Sequence, residues 1–136
     1  MVNDPGKSSD SYAPNSFVEM LGLEDVSSGK GCARVKMPIQ RRHLQSAGNV
    51  QGGLIVALAD AAFTRALISL LPGDQHTVTV ELKINFIARA SGGVLFADGK
   101  IIHKGRTLAV GEMTVTDDRS TLIAKGVGTW MILKHA

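Results

Sequence analysis

The longest pattern in the chain is a run in which almost every residue is apolar. It covers residues 54–71, consists mainly of Leu, Ile, Val and Ala, and is followed directly by Pro72 and Gly73. Such a run without strict alternation predicts a helix that is enclosed on all sides and ends at the proline. Asp60 and Arg65 lie within it. Because an ionised residue at the centre of a bilayer is costly, a buried helix of a soluble protein is favoured over a membrane span.

Shorter stretches on both sides of this helix alternate as strands do. Residues 31–39 divide between two faces, and the residues of the more polar face are Cys32, Arg34 and Lys36. The other face is apolar, which predicts a half-buried strand that ends at Pro38. Four further strand-like runs follow the helix, at residues 77–88, 93–104, 107–116 and 121–133. The links between these four are short, which favours antiparallel pairing of runs that are neighbours along the chain.

Together with a short helix predicted over residues 14–23, these elements indicate an α+β fold in which a curved antiparallel sheet covers the long helix. One sheet can cover only one side of a helix that is apolar all round, so a partner subunit is expected on the other side. A homodimer and a homotetramer both meet this requirement. The length suits one domain over residues 14–136. The polar residues 1–13 lack the apolar core of a secretory signal and are expected to form a disordered tail.

Composition narrows the class of partner. Hydrophobic residues make up 44% of the chain and aromatic residues 4%, so the core must consist mainly of aliphatic side chains. The net charge of +3 suits an anionic small ligand better than duplex DNA, and no nucleic-acid or membrane partner is expected. Cys32 is the only cysteine, which rules out an intramolecular disulfide and fits a reducing cytoplasm. We expect this thiol to be buried and structural.

Asp60 is the residue that the apolar pattern explains least. Its neighbours on both sides are Ala and Leu, aspartate is unfavourable inside a helix, and burial of its charge is expensive. Arg65 lies about 140° around the helix axis from it, so the two do not face each other. A solvent-facing or capping aspartate is the structural alternative. The surroundings favour a general base or a nucleophile whose pKa is tuned by burial.

Gly52 and Gly53 stand where the long helix should begin. The first N–H groups of a helix have no acceptor within it, and glycine lets a ligand approach them closely. They could therefore stabilise an oxyanion, although an ordinary glycine-rich turn is the alternative. Gly52 and Asp60 are separated by about 12 Å along one helix, so a single carbonyl cannot touch both. If they cooperate, they come from two subunits whose helices run antiparallel.

Three segments together resemble a known family. They are residues 43–53 (HLQSAGNVQGG) followed by Leu58-Ala59-Asp60, residues 80–90 (VELKINFIARA) and residues 103–109 (HKGRTLA). The chain resembles the hotdog-fold acyl-CoA thioesterases of the phenylacetate-degradation, PaaI-like type over about residues 15–133. The resemblance implies a hotdog fold, a curved antiparallel sheet wrapped around a long central helix. It also implies hydrolysis of an acyl- or aryl-CoA thioester to the free acid and CoA.

The resemblance also implies roles for individual residues. Asp60 corresponds to the catalytic acid, and the N–H of Gly52 to the donor that polarises the thioester carbonyl. Gln45 corresponds to an amide residue that orients the attacking water or the nucleophile, and Thr64 to a hydroxyl one turn after the acid. The substrate-binding positions that it implies are Asn49, Gln51, Gly53 and Thr79. Thr79 corresponds to a hydroxyl on the facing strand.

One position departs from the family. Gln51 stands where most members have histidine, and glutamine can donate a hydrogen bond but cannot carry a proton. CoA is a large anion, and Arg89, Lys104 and Arg106 lie at turns where they could meet its phosphates, although solvated turn charges are equally common. No cofactor other than the CoA of the substrate is expected, and the sequence contains no metal-binding motif.

Three functions stay open at this point. The first is an acyl-CoA thioesterase, and the second is a non-catalytic module that binds acyl-CoA or an acyl carrier, which the Gln51 variation keeps possible. The third is a hotdog dehydratase, which ranks last because such enzymes pair an acid with a catalytic histidine and no histidine lies at the helix entrance. His43 is near Gln45 in sequence, but a loop or surface histidine is expected there. The acyl group cannot be identified from the sequence.

Overall fold

The computed structural model describes residues 16–135, in which a curved six-stranded antiparallel sheet packs one face against a long helix. The predicted tail at residues 1–13 lies outside the described residues. The elements, in chain order, are α1 (Phe17–Leu21), β1 (Glu24–Gly29), β2 (Cys32–Pro38), a 3-10 turn (Arg41–His43), α2 (Gly52–Ile68), β3 (Gln75–Phe86), β4 (Val94–Lys104), β5 (Leu108–Asp117) and β6 (Leu122–Lys134). The predicted α+β hotdog architecture is confirmed.

The long helix α2 forms where the apolar run predicts it, although it begins two residues earlier and ends at Ile68. One side of it, including Leu58, Phe63 and Leu67, is fully buried against the sheet. Burial of each such side chain contributes about 1.5–3 kcal/mol, so this face holds the helix in place. The sheet comes unusually close at Gly99 of β4, where a Cβ would lie 2.5 Å from the carbonyl oxygen of Ala62. Only glycine leaves room for the helix backbone there.

The order of strands in the sheet differs from the one that the short links suggested. The observed order is β1-β2-β4-β5-β6-β3, so β3 pairs with β6 and β4 pairs with β2. The expectation that β3 and β4 pair as neighbours was wrong. The link between them is anchored elsewhere, because Val50 N–H donates to the buried Ala90 carbonyl at 2.7 Å and Ile39 N–H donates to Gly93. The chain therefore crosses over, and β3 becomes an edge strand.

The N-terminal part contains one strand that the sequence pattern did not predict. All six residues of β1 are exposed and show no apolar alternation. The strand is held by a tight hairpin to β2, in which Lys30 and Gly31 adopt positive φ angles of 55° and 80°. In β2 the predicted alternation is confirmed, with the apolar face buried. The expectation of a buried Cys32 thiol was wrong, because this residue begins β2 on the outer face of the sheet and is exposed.

The short helix predicted over residues 14–23 is confirmed as α1, which spans Phe17–Leu21. The Ser16 hydroxyl caps it by accepting from Glu19 N–H at 3.1 Å, and Gly22 ends it in a left-handed conformation with φ 74°. Within residues 16–135, neither this helix nor α2 combines the length and the apolarity that crossing a membrane requires.

Candidate active site

Asp60 lies at the centre of α2 and is half-buried. The hydroxyl of Thr79 on β3 donates to Asp60 Oδ1 at 2.9 Å. Burial raises the pKa of Asp60, and hydrogen-bond interactions with Thr79 and Trp130 partly oppose this rise. A carboxyl group whose pKa is raised in this way is suited to accept a proton near neutral pH.

A β-bulge aims Thr79 at this carboxylate. The β3–β6 register is interrupted between Thr79, which is opposite Trp130, and Glu81, which is opposite Thr129. As a result, Thr79 faces the helix, whereas Glu81 accepts a hydrogen bond from the Thr129 hydroxyl on the outer face. Two residues that regular alternation would place on one face are thus separated, which is a common function of bulges near active sites.

The cation nearest to Asp60 in the helix sequence is engaged elsewhere. Arg65 forms an ion pair with Asp25 of β1, with 3.1 Å between Nε and Oδ1. This agrees with the expectation, from helical spacing, that Arg65 does not face Asp60. The burial of Asp60 is therefore offset by neutral donors rather than by this arginine.

Asp60 opens onto a groove between α1 and α2. The groove has a volume of about 180 Å³, and Thr64 lies in its wall beside Asp60. Its remaining walls are mainly apolar and are formed by Phe17, Val18, Leu21, Leu23, Ala57, Ala61 and the side of Arg65. The sequence reasoning missed the contribution of α1, because nothing in its pattern indicates which helix it packs against.

The entrance of α2 has the form expected from the glycine pair. The helix begins at Gly52, with Gln51 as its N-cap, and the Gln51 side chain makes no capping hydrogen bond. The first N–H groups of α2 have no acceptor within the helix. Within residues 16–135 neither Gly52 N–H nor Gly53 N–H donates to another loop or side chain. The Phe86 ring of β3 lies against Gly52, where a Cβ would be 3.3 Å from Phe86 Cζ.

Gln45 and Asn49 belong to a tight loop before this entrance. Gln45 N–H donates to the Asn49 carbonyl at 2.7 Å, and Gln45 Oε1 accepts from Ala47 N–H. The Gln45 side chain thus closes its own loop, and the structure of one chain does not bring it to Asp60. Both residues lie on the segment that leads directly into Gly52.

His43, near this loop, has a structural role. It is 1% exposed rather than at the surface, its Nδ1 accepts from Gln40 N–H, and its Nε2–H donates to the Leu21 carbonyl, both at 2.9 Å. This arrangement requires the neutral ring. Burial lowers the pKa of His43, with a further lowering by Arg42 and an opposite effect of the Leu21 contact. The residue ties the loop before α2 to the end of α1.

The three candidate phosphate-binding cations lie at opposite ends of the sheet. Arg89 follows the end of β3 at Phe86, which is opposite Ala124 of β6. Lys104 is opposite Ala109, in the row of residues that also contains Trp130 and Thr79. Arg106 lies in the turn that follows Lys104. All three are exposed, but one chain does not bring Arg89 together with the other two.

Trp130 is a site residue that sequence reasoning missed. It is fully buried and stacks on Phe63 of α2, with ring centroids 3.5 Å apart and an interplanar angle of 14°. Phe63 is three residues after Asp60 on α2, and Trp130 is directly opposite Thr79, which donates to Asp60. No local pattern links Trp130 to Asp60, because 70 residues separate them.

Comparison with known proteins gives one consistent family. The model of the thioesterase superfamily matches residues 47–124, a range that includes both Gly52 and Asp60. A protein of Saccharolobus solfataricus, provisionally named an esterase, is 33% identical over 117 residues, which cover 85% of this chain and 82% of that protein. The 1,4-dihydroxy-2-naphthoyl-CoA hydrolase of Listeria monocytogenes is 30% identical over 105 residues, which cover 77% of this chain and 85% of the hydrolase.

Solved structures agree with the sequence comparisons. The phenylacetic acid degradation protein PaaI of Thermus thermophilus, solved as a point mutant, superimposes with a TM-score of 0.77. The two chains are 27% identical, and the match covers 85% of this chain and 96% of the PaaI chain.

Proposed function

The chain belongs to the thioesterase superfamily and is a thioester hydrolase, and we propose that it hydrolyses acyl-CoA thioesters with Asp60 as general base or nucleophile. The observation that carries the proposal is the half-buried Asp60 carboxylate, which Thr79 holds at the wall of an apolar groove. As a base, Asp60 would take a proton from water that attacks the thioester carbonyl. As a nucleophile, it would form an anhydride that water then opens. Both routes release the free acid and CoA, and both need only this carboxylate, water and N–H donors.

The attacked carbonyl oxygen needs donors that Asp60's own helix cannot supply. We propose that the N–H of Gly52 from a second copy of the chain binds this oxygen and stabilises the negative charge that develops on it. Gly53 N–H and the uncommitted Gln51 side chain lie beside it and would contact the thioester region. Gln45 and Asn49 would shape the loop that positions this entrance, and Thr64 would contact substrate in the groove next to Asp60.

The edge strand β3 supports this two-copy site. It has twelve residues, pairs with β6 on one side only, and exposes Val78, Val80 and Phe86. A long edge strand of this kind is a template for pairing with another strand. Gly52 lies at the level of Phe86 and Asp60 at the level of Thr79.

A specific register follows from these two contacts. If the β3 strands of two copies pair antiparallel with Phe86 of one opposite Thr79 of the other, the two-fold axis falls at Lys83, because Val80 is the extra residue of the bulge and takes no step in the pairing. This arrangement brings Gly52 of one copy towards Asp60 of the other, and it does so twice in the dimer. We therefore propose at least a homodimer, in which each site is assembled from both chains.

The same symmetry would unite the separated cations. A two-fold axis at the middle of the paired β3 strands turns the second sheet around, so that each end of one sheet lies beside the opposite end of the other. Arg89 of one copy then comes to the end at which the other copy carries Lys104 and Arg106. We propose that these three residues together contact the phosphates of CoA, whose charge suits guanidinium and ammonium groups.

We propose that the acyl group enters the groove between α1 and α2. This cavity is lined mainly by apolar side chains and touches Asp60 at one side, so a thioester carbonyl beside Asp60 would direct its acyl chain into it. A volume of about 180 Å³ suits a compact aryl or short to medium acyl group better than a long fatty chain.

The direct test measures free thiol released from a panel of acetyl-, hexanoyl-, benzoyl- and palmitoyl-CoA. Saturable release from at least one of these CoA esters supports the proposal. If CoA esters bind, as measured by calorimetry, but no thiol is released, the chain is a binding module that retains the fold. Hydration of an enoyl-CoA without thiol release would instead indicate a dehydratase.

A further inference from the structure

Trp130 lies in a space that glycines of the sheet leave free for its ring. Its indole stacks on Phe63 of α2, and glycines occupy the adjacent inward positions of the sheet. A Cβ at Gly128 would overlap the six-membered ring of Trp130, and a Cβ at Gly111 would overlap the ring of Phe63. Two strands thus omit side chains so that this pair of rings fits, which fixes the plane of the indole.

The polar edge of this indole is buried without a normal partner. Trp130 is 0% exposed, and its Nε1–H has no acceptor at ordinary hydrogen-bond geometry within residues 16–135. A buried donor left in this state costs about 1–3 kcal/mol, so its retention calls for an explanation.

Asp60 is a candidate acceptor for this N–H. Trp130 is directly opposite Thr79 on the neighbouring strand, and Thr79 already donates to Asp60 Oδ1 at 2.9 Å. Phe63, on which the indole stacks, is one helical turn after Asp60. A hydrogen-bond interaction with the Trp130 side chain also lowers the pKa of Asp60, which means that the N–H is within electrostatic reach of the carboxylate.

We propose that Trp130 is a positioning residue, whose indole N–H closes onto the Asp60 carboxylate in the working enzyme as a second donor beside Thr79. Two donors from adjacent strands would fix both the rotation of the carboxylate and its charged state, and leave its remaining lone pairs directed at water or substrate. The inference rests on the proposed role of Asp60 in thioester hydrolysis.

Other charged groups near Asp60 are already engaged. Arg65 of α2, which lines the same groove, pairs with Asp25 of β1, and Glu81 of β3 is bonded to Thr129 on the outer face. Burial and the two neutral donors therefore set the balance between the protonated and ionised forms of Asp60.

The first experiment does not depend on activity. Trp130 is the only tryptophan of the chain, so its indole N–H gives a single resonance in a proton–nitrogen NMR spectrum. We expect this resonance to shift as pH is varied through the ionisation of Asp60, and to lose that step in Asp60→Asn. An indole resonance with the same pH dependence in wild type and Asp60→Asn would overturn the inference, whether or not the protein hydrolyses thioesters.

The second experiment uses Trp130→Phe, which keeps a ring to stack on Phe63 but removes the N–H. Because the lost donor stabilised the ionised carboxylate, the acid limb of the pH profile of kcat/KM should move to higher pH, and kcat should fall by about tenfold with little change in KM. Ile132→Val, a conservative core change at the next inward position of β6, is the control and should leave the pH profile in place.

The two experiments separate the two hypotheses. If the NMR step is present but no CoA ester is hydrolysed, the contact exists and the proposed function fails. If Trp130→Phe folds and its pH profile coincides with that of wild type, Trp130 serves only to fill the core and the positioning role is wrong.

Discussion

Gly52 and Asp60 lie on the same helix, about 12 Å apart along its axis, and each faces a different level of the edge strand β3. The N–H of Gly52 is at the level of Phe86, and the carboxylate of Asp60 is at the level of Thr79. A single substrate carbonyl therefore cannot contact both the Gly52 N–H and the Asp60 carboxylate of the same chain. If both groups act on one carbonyl, as proposed above, one copy supplies the N-terminus of its helix and the other supplies the Asp60 at the centre of its helix.

The Gly52 N–H can be removed with little change to the helix. We expect Gly52→Pro to lower kcat by about a hundredfold, as for loss of an oxyanion donor. Proline is well tolerated at the first position of a helix, and Gln51 has the extended ψ of 130° that precedes proline. Gly52→Ala, which meets the same Phe86 ring but keeps the N–H, is the matched control. Equal kcat values for the two variants would contradict the role of this N–H.

Two inactive variants should restore each other if the site is shared. Co-expressed Gly52→Pro and Asp60→Asn chains can form mixed dimers in which one of the two sites has both intact groups. We expect the mixed dimer, isolated by two tags and assayed as thiol release, to recover about half of wild-type turnover because one of its two sites is intact. Turnover no higher than that of the separate variants would show that each chain holds a whole site.

Asp60→Asn should separate catalysis from stability. Turnover is expected to fall by about a hundredfold or more, because asparagine can neither accept the proton nor attack the carbonyl. Since the folded protein raises the pKa of Asp60 above 3.8, its neutral carboxyl favours folding below that pH, and this stability is lost as pH rises through the raised value. Asparagine does not ionise, so the variant does not lose this stability as pH rises. At pH 7 the variant should therefore melt no lower than wild type, and any advantage should disappear below pH 3.8.

A different result would indicate a structural aspartate. In that case Asp60→Asn would melt at a lower temperature at pH 7 and keep its activity in proportion to the folded fraction. Both quantities should be measured on one preparation.

The phosphate contacts should depend on salt. Replacement of Arg89, Lys104 or Arg106 by alanine is expected to raise KM about two- to fivefold at low ionic strength while kcat is unchanged, as for solvent-exposed ion pairs. The effect should shrink at high salt, because exposed charges are screened. Lys100→Ala, an exposed change on β4, serves as control. If KM changes neither with salt nor with these substitutions, the three cations do not contact the CoA phosphates and are solvated turn residues.

The size of the α1–α2 groove should decide which acyl groups are cleaved. Ala61→Leu fills part of a cavity of about 180 Å³ and is expected to lower kcat/KM for hexanoyl- or benzoyl-CoA by about tenfold, but to spare acetyl-CoA. Phe17→Ala removes an exposed wall residue and should favour longer chains. If both variants retain the acyl-chain preference of wild type, the acyl group binds elsewhere.

Local patterns were sufficient for much of the fold. The helix α2 was predictable from the length of its apolar run and the proline that follows it, and the strand β2 was predictable from its alternation. Asp60 could be singled out as a candidate because a carboxylate is out of place in an apolar helix. The strand β1 has no apolar face and forms only through its hairpin with β2, so no pattern indicated it.

Features that depend on distant contacts were not predictable. The strand β3 lies at the edge because it pairs with β6 and not with β4. This pairing depends on how Ala90 is bound to the loop before α2. By simple alternation, Thr79 falls on the polar face of β3 with Glu81, and only the bulge at Val80 turns it towards Asp60. Its assignment as a substrate-binding residue came from the family resemblance and not from the strand pattern.

The stacked pair of Phe63 and Trp130 also makes the intrinsic tryptophan fluorescence of the protein a probe of the candidate site. All tryptophan emission originates from one indole that is shielded from water and packed face to face on a phenyl ring, and whose N–H is proposed above to contact the Asp60 carboxyl. Excitation beyond the tyrosine band should give blue-shifted fluorescence whose intensity follows the charge of that carboxyl, since a protonated acid quenches a nearby indole more strongly than its anion. Arrival of an acyl group in the neighbouring groove would then be visible in real time, with no label attached to substrate or enzyme.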